Sequence, residues 1–490
     1  MTFHSLDYVV FFVIVTAIYW RLSHHWQNRF LLVASYLFYG WFEPWFCLLL
    51  AGTTVVDWFA GLKMDPDPTV DDAAYARPDG RVRARRKWWL VLSLISNLSV
   101  LGFFKYFNFF VDSVRAGLEA LGMHASLPVL QVVLPVGISF YTFQSLSYTI
   151  VVYRGRLRAC RSLLDFALFV AFFPQLVAGP IERAEALVPR VLSSRVFNLV
   201  VARDALVLMA WGFFKKLVIA DNVGVIANRV FSMKDPGFEM LWAGVFAFGV
   251  QIYADFSAYS DIARGIARWF GFELIVNFNH PYIAHSPADF WRRWHISLST
   301  WFRDYVYIPL GGNRVPWPQR EANVIATFVL SGFWHGASWN FVLWGLYHGL
   351  VLVMTRTLGG LLRLPERWPG PLALAQIALT LPLMMGGWLF FRETNPQFLF
   401  RFLTLSPFES TPQEREIALY LFVSALTWSL PLVVDDGLAL WRERTPYWRP
   451  LRTWRPVPRM AAEALAVGGL FTLILVLRSH VALDFIYFQF

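Results

Sequence analysis

Long apolar stretches alternate with short polar loops along almost the whole chain. Many of these stretches are long enough to cross the ~30 Å hydrocarbon core of a bilayer as helices. The pattern therefore predicts an all-α, polytopic membrane protein with a single membrane-embedded domain over residues 1–490. The apolar segments fall near residues 6–20, 30–62, 88–111, 129–152, 163–178, 204–227, 238–270, 322–355, 372–391, 416–434 and 460–477.

Basic residues are concentrated in some of the intervening loops and sparse in others. Arginine-rich loops occur at 77–87, 154–161 and 442–459, and loops poorer in basic residues occur at 113–128, 228–237 and 393–415. Cytoplasmic loops carry the excess of Lys and Arg in membrane proteins. The first group is therefore predicted to be cytoplasmic and the second group outside, which places both ends of the chain on the outer side.

The apolar segment 322–355 is too long for one crossing and has arginines on both flanks. As one helix it would span ~51 Å, well beyond the bilayer core. Gly336, Ser338 and Asn340 weaken the helix near its middle. We therefore expect a re-entrant hairpin of two short arms with His335 at its tip. Irregular backbone at membrane depth must line a cavity or be buried in protein, so a polar tunnel around His335 is expected as well.

His335 is a candidate functional residue in this segment. An ionisable side chain at membrane depth is costly, and it is a functional candidate by default. The window alone leaves a second interpretation equally open, in which His335 is a structural histidine hydrogen-bonded between helices. A neutral imidazole without a metal or serine partner suits general-base work, because it can take a proton from a hydroxyl that attacks an activated acyl group.

A polar and aromatic run at 285–314 begins with signals for a helix start. Ser286 suits the N-cap, Pro287 the first helical position, and Asp289 completes a capping-box-like pattern. Apolar positions then recur at helical spacing: Trp291, His295, Leu298, Phe302 and Tyr305. This predicts one amphipathic helix at the cytoplasmic interface. His295 lies on its buried face, where a histidine is more commonly structural than catalytic.

Two carboxylates lie within the apolar run QIYADFSAYSDIARG at 251–265. Gln251, Asp255 and Tyr259 share one helix face, and Asp261 follows six residues after Asp255. Buried carboxylates need partners or water. They could bind substrate or orient a histidine, and interhelical hydrogen bonds that fix packing are at least as good an explanation.

Composition narrows the function classes further. The chain is 57% hydrophobic with a net charge of +10, but its basic residues lie in short loops, as membrane orientation requires, so we expect no nucleic-acid partner. Cys47 and Cys160 are far apart, which argues against a disulfide framework or a zinc site. No Walker A loop, dinucleotide fingerprint, GxSxG elbow or metal-ligand cluster is visible, so no bound metal or cofactor is expected. The N-terminus is interpreted as a first membrane segment and not as a removed signal.

Four runs together resemble the membrane-bound O-acyltransferase (MBOAT) family, in its bacterial branch that acylates cell-envelope polymers. They are DFWRRWHISLSTWFRDYVYIPLGGNR, FVLSGFWHGASWNFVLWGLYHG, FFPQLVAGPIERA and QIYADFSAYSDIARG. The resemblance implies a ring of tilted helices with re-entrant hairpins around a central tunnel. It implies a cytoplasmic thioester donor, taken here as acetyl-CoA, and acetylation of an exopolysaccharide such as alginate. It also implies the bacterial inner membrane, an extracytoplasmic SGNH-type partner protein and a polysaccharide assembly complex.

The resemblance also assigns residues. The histidine of the WHG-type motif maps onto His335 as the catalytic residue, which we take as the base, and that of the WHxSLS-type motif maps onto His295, a supporting histidine that is also required. The ending FIYFQF matches an FxYFxF pattern, whose tyrosine, Tyr487, would receive the acyl group as a relay; the alternative is an interfacial aromatic anchor. The catalytic core is expected over 279–355, as the amphipathic helix plus the hairpin. Substrate contacts are expected from Gln251, Asp255, Trp334, Ser338 and Asn340.

Other functions remain open at this point. The same fold could transfer D-alanyl groups from a carrier protein to teichoic acids, or it could acylate a lipid. A transporter of another class would use Asp255, Asp261 and His335 as an intramembrane relay. The absence of a visible inverted repeat argues against the transporter. The sequence does not identify the donor, the polymer, the partner protein or the oligomeric state.

Overall fold

The computed structural model describes residues 1–67, 69, 71–76, 78–123, 126–130, 133–363, 365, 367–444 and 456–488. Across these ranges the regular secondary structure consists of helices, as the apolar pattern predicts. The arginine-rich loop predicted at 442–459 lies mainly outside the described residues. The described part divides into two compact units, one made of residues 1–209 and 262–275 and the other of residues 210–261 and 276–490. The expected single domain over 1–490 stays a prediction.

The first unit contains the helices of the N-terminal half. They are α1 (Leu6–Tyr19), α2 (His24–Gly40), α3 (Phe46–Met64), α4 (Asp72–Ala76), α5 (Gly80–Leu101), α6 (Phe107–Ala120), α7 (Ile138–Tyr153), α8 (Leu163–Ala171), α9 (Phe173–Leu176), α10 (Ala184–Leu192) and most of α11 (Leu199–Phe214). In its core, Asp57 of α3 accepts hydrogen bonds from Ser93 and Asn97 of α5 at 2.6 and 2.9 Å. Such bonds join helices where packing alone supplies little specificity.

The second unit carries the regions that contain the predicted catalytic residues. Its helices are α12 (Asp221–Phe231), most of α13 (Phe238–Trp269), α14 (Pro287–Arg293), α15 (Ile296–Phe302), α16 (Trp317–His335), α17 (Trp339–Leu361), α18 (Leu372–Arg392), α19 (Pro396–Thr404), α20 (Pro412–Arg444) and α21 (Pro456–Leu477). A π-helical turn, Lys215–Ala220, joins α11 to α12, and another, Arg303–Tyr307, follows α15. π-turns rotate the side chains that follow them and are frequent at functional sites.

In the described part of the chain, six helical stretches are long and apolar enough to cross a membrane. They are Phe46–Met64, Gly80–Ala120, Phe238–Trp269, Trp339–Leu361, Leu372–Arg392 and Pro412–Trp441. The protein is therefore a multi-pass membrane protein, as predicted from the sequence. Which loops face the cytoplasm stays a prediction.

The predicted hairpin in segment 322–355 is confirmed. Helix α16 ends at His335 and α17 begins at Trp339, so the break falls in the WHGASWN region. At the open end of the hairpin, Arg356 of α17 pairs with Glu321 of α16 at 3.2 Å. The expectation of two short arms is wrong, because α16 begins at Trp317 and α17 continues to Leu361, so they reach ~28 and ~34 Å at helical rise.

The single amphipathic helix predicted for the 285–314 run is wrong. Its start is correct, since Ser286 accepts a hydrogen bond from Asp289 N at 3.1 Å and Pro287 is the first helical residue. However, α14 stops at Arg293, and His295 adopts a left-handed backbone conformation with φ 42° before α15 begins. The stripe from Trp291 to Tyr305 is therefore not one continuous helix face. Its interruption lies at the histidine itself.

Candidate active site

His335 lies at the tip of the hairpin in a setting of aromatic rings. It is 7% exposed, and its ring centroid is 5.1 Å from that of Trp344 and 5.3 Å from that of Phe391. The helix can turn immediately after it because Gly336 packs against Phe341, where a side chain at position 336 would overlap the Phe341 ring. The sequence expectation that His335 is buried at the hairpin tip is thus confirmed.

His295 is fixed by Asn277, a residue that the sequence analysis did not single out. The Asn277 carbonyl oxygen accepts a hydrogen bond from Ile296 N at 2.9 Å. Its side-chain oxygen accepts from Ser297 Oγ at 2.9 Å and from Ser297 N at 3.3 Å. His295 Nδ1 lies 3.1 Å from the same oxygen. These bonds cap α15 and stabilise the left-handed residue that precedes it.

The same contact sets the tautomer of His295. A side-chain oxygen that accepts from a backbone N–H can only accept from Nδ1 as well, so Nδ1 carries the proton and Nε2 carries the lone pair. Among the described residues, no hydrogen-bond partner faces Nε2. Burial lowers the pKa of His295 to about 3, which keeps the imidazole neutral at physiological pH. His295 therefore presents a neutral acceptor nitrogen.

Tyr487 comes to the two histidines from the far end of the chain. Its ring centroid lies 5.9 Å from that of His335 and 6.4 Å from that of His295, and the two imidazole centroids are 6.3 Å apart. The three residues assigned from the family motifs therefore form one cluster. A phenol beside two imidazoles can accept an acyl group once a base removes its proton.

A cavity of about 550 Å³ opens beside this cluster. His295 and His335 both line it, together with apolar side chains such as Leu298 and Phe302. Three arginines also contribute to its wall, Arg292, Arg303 and Arg356. The wall of the cavity therefore combines basic and apolar side chains with the two histidines.

The five predicted substrate-binding residues lie apart from the lining of this cavity. Trp334 is nearest to the cluster, with its ring 5.0 Å from that of His335. Asn340 donates a hydrogen bond to the Phe390 carbonyl at 3.1 Å, and Ser338 precedes α17. Gln251 and Asp255 are buried in α13. Their roles in substrate binding stay predictions.

Asp255 instead contacts a lysine and the C-terminal segment. It lies 3.1 Å from Lys216 Nζ and accepts a hydrogen bond from Ile486 N at 2.7 Å. The sequence analysis missed Lys216, although two adjacent lysines inside the apolar stretch 204–227 were a usable signal. Asn277 gave no comparable signal, because asparagine is common in loops and Asn279 lies two residues further on.

Comparison with known proteins adds independent information to this geometry. The model of the MBOAT, membrane-bound O-acyltransferase family matches residues 86–392, which is more than half of the chain. The chain belongs to the membrane-bound O-acyltransferase family. The matched range contains His295 and His335, whereas Tyr487 lies beyond it. Family membership makes the protein an acyltransferase that works within the membrane.

Individual relatives show which kinds of enzyme the chain is similar to. The probable alginate O-acetylase AlgI of Pseudomonas aeruginosa is 37% identical over 96% of this chain and 86% of its own length. The peptidoglycan O-acetyltransferase of Helicobacter pylori is 36% identical over 74% of this chain and 71% of its own length. The teichoic acid D-alanyltransferase of Streptococcus thermophilus is 30% identical over a smaller share, 45% of this chain and 56% of its own length.

Proposed function

We propose that the protein takes an acetyl group from acetyl-CoA in the cytoplasm and delivers it across the bacterial inner membrane for O-acetylation of an exopolysaccharide such as alginate. The observation that carries this proposal is the cluster of His295, His335 and Tyr487 beside a cavity with arginines in its wall. The choice of acetyl as the acyl group and of a polysaccharide as the acceptor is supported by the names of the relatives that match most of the chain. These relatives include alginate O-acetylases and a peptidoglycan O-acetyltransferase.

The cavity has features that suit a phosphorylated thioester. Guanidinium groups bind phosphate oxygens through a planar set of N–H donors. Each of the three arginines also has an acidic neighbour, as in the pair Arg303–Asp304 at 2.8 Å. One carboxylate does not exhaust five N–H donors, so each guanidinium keeps donors for a phosphate. The apolar part of the cavity would then hold the arm that leads the thioester towards His335.

The chemical step follows from the order of the groups. His335 takes the proton from the Tyr487 hydroxyl, and the phenol oxygen attacks the thioester carbonyl carbon. The C–S bond breaks as the new C–O bond forms, and the departing thiolate takes the proton back from the imidazolium. The products are free thiol and an acetyl ester on Tyr487. The single hydroxyl proton goes to His335, so the neutral His295 keeps its Nε2 lone pair to accept a hydrogen bond from an N–H of the bound thioester.

Delivery to the polymer needs a second protein in this proposal. A phenyl ester is a more activated ester than an alkyl ester, because the phenol, with a pKa near 10, is the better leaving group. An extracytoplasmic SGNH-type acetyltransferase could therefore accept the acetyl group from Tyr487 and pass it to a sugar hydroxyl. The partner is expected to act with the assembly complex of the polymer.

The test is a reaction of the purified protein in nanodiscs with acetyl-CoA that carries a radiolabelled acetyl group. Free CoA thiol should appear, and the label should become attached to the protein. Transfer from a D-alanyl carrier protein in place of acetyl-CoA would overturn the acetyl assignment and support the teichoic acid alternative. Label in lipid would support a lipid acyltransferase. No turnover with any thioester, combined with solute flux in proteoliposomes, would support the transporter.

A further inference from the structure

A buried ion cluster lies next to the candidate active site and outside the proposed chemistry. Lys216 is held in the π-turn between α11 and α12, and its Nζ lies 2.8 Å from Asp221 Oδ1 and 3.1 Å from Asp255 Oδ1. All three side chains are at most 6% exposed. Buried ion pairs are weak sources of stability, because desolvation offsets most of their attraction. The cluster therefore calls for an explanation other than stability.

The cluster forms hydrogen bonds with the backbone of the C-terminal segment, Leu483–Tyr487, at two points. Lys216 Nζ donates a hydrogen bond to the Leu483 carbonyl oxygen at 2.9 Å. Asp255 Oδ2 accepts a hydrogen bond from Ile486 N at 2.7 Å. The cation thus holds a carbonyl and the carboxylate holds an N–H three residues further on. Each of these hydrogen bonds involves a charged side chain, which makes it stronger than a hydrogen bond between neutral groups.

Aromatic contacts fix the side chains of the same segment. The Phe485 ring stacks on Tyr259 with centroids 4.5 Å apart, and the Tyr487 ring lies 4.3 Å from that of Phe256. Phe256 follows Asp255 directly, and its ring is also 4.7 Å from the His295 ring. One turn of α13 therefore supplies the carboxylate that holds the segment and a ring that contacts both Tyr487 and His295.

We propose that Lys216 and Asp255 are positioning residues that set the register of the segment Leu483–Tyr487, so that Tyr487 and no other residue stands beside His335. This inference rests on the proposed relay through Tyr487. A shift of the segment by one residue would place Ile486 or Phe488 at the position of Tyr487, and neither residue has a hydroxyl. The bond from Lys216 to a carbonyl and the bond from Asp255 to an N–H three residues further on prevent that shift. Apolar packing alone would permit it.

The chain offers a matched control for this proposal in the neighbouring residue. Lys215 is also buried, but its Nζ bonds Ser257 Oγ at 2.9 Å and Asp261 Oδ2 at 2.7 Å. Lys216→Met and Lys215→Met therefore each remove one buried ammonium from the same turn. Among the described residues, Lys216 bonds to the C-terminal segment and Lys215 does not, so Lys216→Met removes such a bond and Lys215→Met leaves it in place. We expect acetylation of Tyr487, measured by mass spectrometry at saturating acetyl-CoA, to fall by about 10²-fold in Lys216→Met, as for a misplaced reacting group.

Two further readouts separate positioning from folding. The KM for acetyl-CoA should stay within about twofold, because neither Lys216 nor Asp255 lines the donor cavity. The double variant Lys216→Met/Asp255→Leu leaves Asp221 as the single charge and so keeps the net charge of the cluster at −1. It is expected to fold, because apolar replacement of a buried pair is often neutral. It should lose Tyr487 acetylation as the single variant does.

A proteolysis measurement does not depend on the relay. Phe485 and Ile486 are buried, so chymotrypsin should cleave after Phe485 slowly in the wild-type protein and at least about tenfold faster in the double variant, through local opening. Wild-type protection in the double variant would overturn the positioning proposal, as would equal losses in the two lysine variants. If cleavage rises but a Tyr487→Phe variant still supports polymer acetylation, the segment is held as proposed and the relay alone is wrong.

Discussion

Gly332 packs directly against the backbone of Phe341, so closely that a methyl group on Gly332 would overlap the Phe341 carbonyl oxygen. The same contact recurs one turn further along the hairpin, where Gly345 packs against the backbone of Phe328. Small residues allow helices in membranes to approach closely and to pack by van der Waals contact. The two glycines therefore hold the hairpin that carries His335.

Gly332→Ala is expected to destabilise the hairpin. The obstructing atom belongs to the backbone and cannot rotate away, so overpacking should cost about 1–3 kcal/mol of the free energy of unfolding. Gly359→Ala is the matched control in α17, because a Cβ there meets no atom within 4 Å and the change favours the helix. Thermal unfolding in detergent should show a lower midpoint for the first variant and an equal or higher one for the second. Equal midpoints would show that the two helices can move apart at no cost.

His335→Ala should lower acetyl transfer by about 10²–10⁴-fold, the usual contribution of a general base. His348→Ala serves as its control, because His348 is also buried in the hairpin, with its ring 4.9 Å from that of Trp344, yet does not line the cavity. Turnover per folded molecule, measured as thiol release, should remain near wild type in the control. The assignment of His335 fails if both variants lose activity to the same extent. Full activity of a His295→Ala variant would demote His295 to a structural role.

Tyr487→Phe should abolish polymer acetylation while leaving the fold unchanged. Phenylalanine keeps the ring that packs on Phe256 and removes only the oxygen that would carry the acetyl group. Mass spectrometry of the C-terminal peptide should find an acetyl adduct on Tyr487 in the wild type, and the adduct should be missing in a His335→Ala background. If Tyr487→Phe supports normal polymer acetylation, the residue is an aromatic anchor.

The hairpin predicts that its two open ends lie on the same face of the membrane. Pro318→Cys and Gly360→Cys place labels on exposed positions at the start of α16 and the end of α17. The background should lack Cys47 and Cys160, which are both free thiols. A membrane-impermeant maleimide should label both positions from the cytoplasmic side of spheroplast-derived vesicles. Reaction from opposite sides would mean that the segment crosses the membrane once, and the placement of His335 would then be wrong.

His295 should make the protein sensitive to acid. Burial lowers its pKa to about 3 from the usual 6.5. Between these two pH values the unfolded chain binds a proton at His295 and the folded protein does not. Its contribution to stability is full above pH ~6.5 and declines by about 1.4 kcal/mol per pH unit as the pH falls towards 3. A His295→Asn variant should lose this part of the pH dependence. Unfolding midpoints between pH 7.5 and 5 test this, and parallel curves for the two proteins would contradict it.

Local patterns predicted much of the architecture. The break at Gly336 and the N-cap at Ser286 depend on residues close together in sequence, and the structure confirms both. Most apolar segments are helical as well, but the segment 30–62 is divided between α2 and α3, and the helix in 129–152 begins only at Ile138. The membrane class could also be predicted, because it follows from the apolar composition of the chain. The position of Tyr487 beside His335 could not be predicted from spacing, and it was expected only because the four runs and the C-terminal pattern resemble a known family.

The errors come from contacts between distant residues. The helix at 285–314 breaks because Asn277 holds the backbone of Ile296, and no periodicity within the run reveals that bond. A buried carboxylate at Asp255 was recognised as needing a partner, but the sequence could not distinguish a substrate from Lys216. Burial and ion pairing between helices are decided by packing, which a single sequence specifies only indirectly.

The bonds between Asn277 and the start of α15 have a practical consequence for protein engineering. Asn277 and His295 are 18 residues apart, and their contact closes the intervening chain into a loop whose length in residues is fixed. An insertion or deletion inside that loop would rotate the imidazole away from its acceptor, however well the remaining helices folded. A chimaera between two such acyltransferases should therefore exchange residues 277–297 as one block, with both crossover points outside it.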